Sequence, residues 1–203
     1  MKIKHIIAVA ILTFSQISCD TTKKKEAEKP VEETVIEETQ EINYTKLGME
    51  IAIATQKELG KNLKSAMKKG GPEHALTFCN TKAFPLTDSM AIAHKAKIKR
   101  VTDKTRNINN QANDTELVHI QTFKDAIAKG EKPDPIVEEK DGIVHFYAPI
   151  ITNDVCLKCH APADKIKPSV LATINKLYPK DAAKGYETNQ IRGIWSIEME
   201  AQK

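Results

Sequence analysis

The spacing of apolar positions predicts helices in the first half of the folded chain. Residues 44–69 carry apolar side chains at three- and four-residue intervals, which is typical of an amphipathic helix. Gly70 and Gly71 end this pattern, and Pro72 suits the first turn of a second helix, which contains Cys79. Further helices are predicted over residues 86–95 and 116–129, the last with Asp114 as its N-cap and Gly130 as its stop.

The period changes to two in the last third of the chain. Residues 135–140 and 143–147 flank Asp141-Gly142, a dipeptide that favours the tight turn of a β-hairpin. Residues 191–200 form another predicted strand, whose alternate side chains point to opposite faces. Helices first and strands later predict an α+β domain with a small antiparallel sheet.

The N-terminus has the layout of a secretory signal. An apolar run over residues 6–14 follows two lysines and is too short to span a bilayer, and the small Ser18 precedes Cys19. A cysteine in this place resembles the lipobox of bacterial lipoproteins, in which it is lipid-modified and becomes the new N-terminus. We therefore predict a lipoprotein signal peptide over residues 1–18 and a lipid anchor on Cys19, on the periplasmic side of a bacterial membrane. A plain signal peptide with a nearby cysteine is the alternative.

Composition adds a tether and excludes one class of partner. Residues 19–41 consist mainly of Lys, Glu and Thr without a period, so we predict a solvated, disordered tether before a folded domain over 42–203. Lys and Arg number 31 against 27 Asp and Glu, and two of the lysines lie in the predicted signal peptide. This balance, without a basic run interleaved with aromatics, gives no reason to expect a nucleic-acid partner.

Two of the four cysteines carry the main chemical signal. Cys156 and Cys159 lie in the pentapeptide CLKCH, which ends at His160 and is the attachment signature of a c-type haem. The two intervening residues let both sulfurs reach the vinyl groups on one porphyrin edge, and the histidine then meets the iron. We predict one covalent haem c, held by Cys156 and Cys159, with His160 as an axial ligand.

Other uses of this cysteine pair fit the sequence less well. A thioredoxin-like redox pair requires a βαβ setting, which the pattern does not predict. A structural zinc site needs four ligands, and the sequence has no second closely spaced cysteine pair. The predicted secretion favours haem, because c-type haem is attached outside the cytoplasm.

Spacing alone does not identify a sixth iron ligand. A lone cysteine such as Cys79 on an apolar helix face is usually a packing residue, and the histidines and methionines have equally ordinary explanations. The candidates are His74, His94, His119, His145, Met90, Met199 and Cys79.

Several motifs together resemble the PAS-like c-type haem domain family, which includes free-standing cytochromes and sensory input domains. The runs over residues 178–186 and 192–197 match its C-terminal motifs, and residues 106–110 match its arginine–asparagine stretch. The haem segment and the glycine pair before a cysteine-bearing helix match too, so the similarity covers residues 44–200. Asn189 departs from the family, which commonly has glycine there.

The resemblance implies a fold and a ligand set. The fold would be a PAS-like domain with N-terminal helices packed on the sheet. The axial ligands of the iron would be His160 and Cys79. Arg100 and Arg106 are candidates to pair with the haem propionates, because a planar guanidinium suits carboxylates, with surface ion pairs as the alternative.

The implied ligation favours a redox role. A thiolate stabilises ferric iron and lowers the potential, and a protonated thiol is a weak ligand that ferrous iron readily loses. This coupling suits a redox sensor, or a sensor of a gas such as NO or CO, that acts on an unknown redox or signalling protein. A membrane-tethered, low-potential electron carrier is the alternative. A haem enzyme ranks last, because it needs acid–base residues such as His94 or His119 at an open site.

Overall fold

The computed structural model describes residues 42–202. The predicted signal peptide, Cys19 and the tether up to residue 41 lie outside the described residues. No helix between residues 42 and 202 is long and apolar enough to cross a membrane. The main elements are α1 (Tyr44–His94), β1 (Lys97–Val101), α2 (Asp114–Ala128), β2 (Ile136–Lys140), β3 (Ile143–Ile151), α3 (Asp154–His160), α4 (Pro168–Leu177) and β4 (Ile191–Glu200).

Helix α1 is broken in the middle by two glycines. Gly70 (φ −161°, ψ 26°) and Gly71 (φ 71°, ψ −167°) leave the helical conformation and produce a kink. Gly71 adopts a combination of angles that is essentially restricted to glycine. The break predicted from the sequence is therefore confirmed, and it separates a first arm (44–69) from a second arm (72–94). The separate helix predicted over residues 86–95 was wrong, because these residues continue the second arm.

The four strands form one antiparallel sheet in the order β1-β4-β3-β2. The predicted hairpin joins β2 to β3, and Asp141 (φ 53°) and Gly142 (φ 75°) form its turn. Strand β4 is central and almost wholly buried. Strand β1, which the apolar pattern did not predict, pairs with β4 from Lys97 opposite Glu198 to Val101 opposite Ile194.

Helices cover both faces of the sheet. The first arm of α1 packs against Trp195 and Ile197 on one face, and α2 packs through Phe123 against Ile194 on the other. This confirms the α+β fold and the alternation predicted for β4. Helix α2 begins at Asp114, two residues before the predicted start at residue 116. Its N-cap is Asn113 and not Asp114, because Asn113 exchanges two hydrogen bonds with Glu116 in a capping box.

Candidate functional site

The short helix α3 presents the CLKCH pentapeptide. Asn153 caps it, since its Oδ1 accepts hydrogen bonds from the backbone N–H groups of Val155 (3.0 Å) and Cys156 (3.4 Å). In a helix, residues three and four positions apart share a face. Cys156, Cys159 and His160 therefore project from the same side of α3.

A separate apolar cluster fixes α3 against the second arm of α1. Leu76 is 4% exposed and packs with Ala161, Val170 and Ile174, and Cys159 lies against the same cluster. Leu76 precedes Cys79 by three residues, so the two side chains point in similar directions from the helix. This packing holds Cys79 next to the pentapeptide.

The four residues predicted to attach and ligate the haem line one cleft of about 240 Å³: Cys79, Cys156, Cys159 and His160. Its apolar wall comes from both arms of α1: Leu63, Met67, Ala75, Leu76, Ala83 and Phe84. Its polar lining includes three guanidinium groups, those of Arg100, Arg106 and Arg192. The cleft thus combines two thiols, an imidazole and a third sulfur with an apolar wall and positive charge.

The other candidates for a sixth ligand lie elsewhere in the described part of the chain. Met90 on α1 is partly buried against the core cluster that contains Met199, and His119 packs on Tyr147 with ring centroids 4.3 Å apart. His145 lies within β3, opposite Glu138 and Glu198, while His74 is exposed and His94 ends α1. Of the seven candidates, only Cys79 lines the cleft.

His160 has a defined orientation. Its Nδ1 lies 2.7 Å from the carbonyl oxygen of Ala183, and because a carbonyl can only accept, Nδ1 carries the proton. Nε2 then keeps its lone pair and is available to a metal. Burial lowers the pKa of His160 well below its ordinary value, and the charges of Arg106 and Arg192 lower it further. The imidazole is therefore neutral at pH 7, as an iron ligand must be.

The thiols also respond to this environment. Burial raises the pKa of Cys79, while Arg100 and Arg106 act in the opposite direction. Burial likewise raises the pKa of Cys159. Without a metal these thiols are protonated at neutral pH, and the guanidinium groups beside Cys79 favour its thiolate once the proton is displaced.

Two arginines of the cleft, Arg106 and Arg100, differ in their ion pairs and hydrogen bonds. Arg106 forms an ion pair with Asp181, whose side chain is 0% exposed, and also donates to the carbonyl of Cys159 at 2.6 Å. It therefore belongs to a buried ion pair, and not to a surface pair. The guanidinium group of Arg100 makes no hydrogen bond to another group within residues 42–202, and burial lowers its pKa. Unlike Arg106, Arg100 is therefore available to bind an anion in the cleft.

Sequence reasoning missed Arg192 as a cleft residue. Its Nη1 donates to Thr102 Oγ1 (3.0 Å) and to the carbonyl of Lys104 (3.2 Å), whereas its buried Nε has no hydrogen-bond partner among the described residues. The signal was the Arg-Gly motif at 192–193, which has an ordinary structural explanation. The glycine is structural, because a β-carbon at Gly193 would overlap the backbone of Val101.

The C-terminal motif closes over α3 by backbone hydrogen bonds. The N–H groups of Gly185 and Tyr186 donate to the carbonyls of Ala161 (3.0 Å) and His160 (2.9 Å). The Tyr186 ring meets the His160 ring edge-on, with centroids 6.2 Å apart. The motif that carried the family resemblance therefore surrounds His160.

Comparison with known proteins identifies the family and the fold. A family model described as "Tll0287-like: Tll0287" matches residues 35–199. The crystal structure of the cyanobacterial heme-protein Tll0287 is similar, with 18% sequence identity and a TM-score of 0.58, over 80% of this chain and 99% of that chain. At this identity the likeness shows the fold alone, and it confirms the predicted PAS-like α+β fold. The comparison with curated proteins finds no match. Because the family model spans most of the chain, this protein belongs to the Tll0287-like family.

Proposed function

We propose that the protein is a haem-binding, cytochrome-like protein that carries one haem c. Cys156 and Cys159 would hold the haem covalently, and His160 and Cys79 would be its axial ligands. The observation that carries the proposal is that one cleft contains these three sulfurs and an imidazole with a free Nε2. The haem reported for the similar cyanobacterial protein gives independent support.

The lining of the cleft fits such a group. The apolar side chains of Leu63, Met67 and Phe84 suit the faces of a porphyrin. Arg100 and the buried Nε of Arg192 offer positive charge and donors without acceptors, which suits two propionate groups. When bound, haem would supply a one-electron couple and a coordination position for a small diatomic gas.

We assign redox or gas sensing as the use of this site. His160 is held by Ala183 and lies next to Cys159 in the chain, so it would remain a permanent ligand. Cys79 belongs to a different element, the arm that follows the glycine break. A gas that replaced Cys79 on the iron, or reduction that broke the bond between Cys79 and the iron, would therefore detach the second arm from the haem. A redox or signalling protein would then recognise the altered surface of α1.

The alternatives differ in what they require of the site. An electron carrier would keep Cys79 bound in both oxidation states. An enzyme would need a second acid–base group, and His94 and His119 do not line the cleft. Among the described histidines, His160 alone does so.

The cellular setting belongs to the same proposal. Haem c is attached outside the cytoplasm, which is consistent with a signal peptide over residues 1–18. A lipid anchor on Cys19 and a tether up to residue 41 would hold the domain on the periplasmic side of a membrane. The mass of the mature N-terminal peptide tests this directly, since a diacylated Cys19 supports the anchor and an unmodified Cys19 refutes it.

Absorption spectra of the full chain, made together with haem-attachment machinery, test the ligand set. The oxidised wild type should be low-spin with thiolate character, and Cys79→Ala should remove that character. Met90→Leu is the matched control, because Met90 is a sixth-ligand candidate that lies outside the cleft. A spectrum unaffected by Cys79→Ala would refute thiolate ligation.

The reduced spectra separate sensing from electron transfer. A sensor should become five-coordinate, or bind CO readily, when it is reduced. A carrier should stay six-coordinate in both states and exclude CO. The second result would replace sensing by electron transfer and leave the haem assignment intact.

A further inference from the structure

The carboxylate of Asp181 lies at the centre of a buried network behind His160. It accepts hydrogen bonds from Arg106 Nε (3.1 Å), from Lys184 Nζ (2.8 Å) and from the backbone N–H of Ala183 (3.0 Å). Burial alone would raise the pKa of Asp181, but the hydrogen bonds from Arg106 and Lys184 outweigh it and lower the pKa. Asp181 is therefore ionised at neutral pH.

The network reaches the imidazole through one residue. Ala183 donates its N–H to Asp181, and its carbonyl accepts from His160 Nδ1 at 2.7 Å. Arg106 Nη2 donates to the same carbonyl (3.3 Å) and to the carbonyl of Cys159 (2.6 Å). The ion pair thus fixes both the acceptor of the histidine proton and the backbone next to the histidine.

We propose that Asp181 and Arg106 are positioning residues for His160. They hold the Ala183 carbonyl where it selects the Nδ1–H tautomer and turns Nε2 toward the cleft. The negative charge of Asp181 also acts through space on the ring and partly offsets the positive charges of Arg106 and Arg192 beside it. This inference rests on the proposed function insofar as His160 is an iron ligand.

A purely stabilising role accounts for the network less well. A buried ion pair costs desolvation energy and is often replaceable by apolar side chains without loss of stability. Two of the acceptors that surround Arg106, the carbonyls of Cys159 and Ala183, belong to or contact the attachment motif. Groups that orient a metal-bound histidine through its second nitrogen tune the metal.

The test uses the haem-loaded full chain and measures the reduction potential and the exchange rate of the His160 ring proton. A purely structural role of the network would change neither quantity. Asp181→Asn should shift the reduction potential to a more positive value, because a negative charge near the iron is lost. The Nδ1 proton of His160, followed by NMR in the reduced CO complex, should exchange with solvent ~10-fold faster, as expected for one weakened hydrogen bond. Asp181→Glu should restore both values in part.

Glu198→Gln is the matched control. It also removes one carboxylate from an ion pair, with Lys97 Nζ at 2.8 Å, but at the sheet and away from the cleft. It should change neither the potential nor the exchange rate. If Asp181→Asn lowers stability but keeps the wild-type potential and exchange rate, the network is structural and the inference is wrong.

A second variant covers the case in which Asp181→Asn yields no haem-loaded protein. Lys184→Gln removes one cation from Asp181 and should shift the potential in the opposite direction, to a more negative value. An unchanged potential in Lys184→Gln overturns the inference. A wild-type chain that carries no haem refutes the proposed function, whereas loaded variants with wild-type values refute this inference alone.

Discussion

Gly48 lies against the ring of Phe146, so close that a β-carbon at position 48 would overlap the ring. This contact sets how near the first arm of α1 approaches the sheet, and with it the position of the cleft wall. Gly48→Ala should lower the free energy of unfolding by about 1–3 kcal/mol, the usual cost of overpacking a core.

Gly60 provides the control for this prediction. It lies in the same arm, and nothing lies within 4 Å of where its β-carbon would be. Gly60→Ala should raise the free energy of unfolding by about 0.5–1 kcal/mol through helix propensity. Urea denaturation measures the free energy of unfolding of both variants. Equal effects of the two substitutions would show that the Phe146 ring does not limit the size of the side chain at position 48.

Leu76 is predicted to control the environment of Cys79. Leu76→Ala leaves a cavity between α1 and α4 and should cost about 2–5 kcal/mol of stability. Because Leu76 is one helical turn from Cys79, the thiolate character of the absorption spectrum should weaken as well. Leu171→Ala on α4 removes a side chain from the same cluster and should reduce stability without altering the spectrum. A spectrum unaltered by Leu76→Ala would mean that Cys79 is positioned by other contacts.

The Asp181 ion pair predicts a pH dependence of stability. Its pKa is lowered in the folded protein from the ordinary value of 3.8, so the pair contributes fully above that value and is lost as the pH falls through the folded pKa. The difference in unfolding free energy between the wild type and Asp181→Asn should therefore be constant near neutral pH and shrink below about pH 4. Urea titrations at several pH values measure it. A difference that persists unchanged at low pH would contradict an ionised Asp181.

Asn189 stands where the family commonly has glycine, and substitutions there test what the backbone at this position requires. The residue has φ 60°, in the left-handed region that glycine adopts without strain and that asparagine tolerates. Asn189→Gly should leave stability unchanged or slightly raised, while Asn189→Val should lower it by about 1–3 kcal/mol, because a β-branched residue is strained there. Thermal unfolding distinguishes them, and a valine variant as stable as the wild type would contradict the backbone assignment.

Local chemistry made much of this fold predictable from the sequence. The Gly70-Gly71 break, the Asp141-Gly142 turn and the α+β class follow from residue spacing and turn preferences, and the structure confirms them. The CLKCH pentapeptide identified three cleft residues because its chemistry is contained in five consecutive positions. Cys79 is different, since only tertiary packing through Leu76 brings it to the same cleft.

The features that could not be predicted from the sequence depend on contacts with other parts of the fold. Strand β1 has only two apolar residues in five, and it becomes a strand because β4 offers an edge for pairing. Arg106 was a candidate for the propionates, but its partner Asp181 lies 75 residues further along the chain, beyond any spacing rule. Asn113 and not Asp114 caps α2, because Glu116 at the third helical position completes a capping box.

In the proposed site, haem would be bonded to the sulfurs of Cys156 and Cys159. Intact-mass measurement of the denatured full chain, produced with haem-attachment machinery, tests for these two bonds. We expect the mass of one haem to stay with the chain, to map to the peptide containing CLKCH, and to be lost from the Cys156→Ala, Cys159→Ala double variant. A colourless protein with no added mass on these two thiols would contradict it.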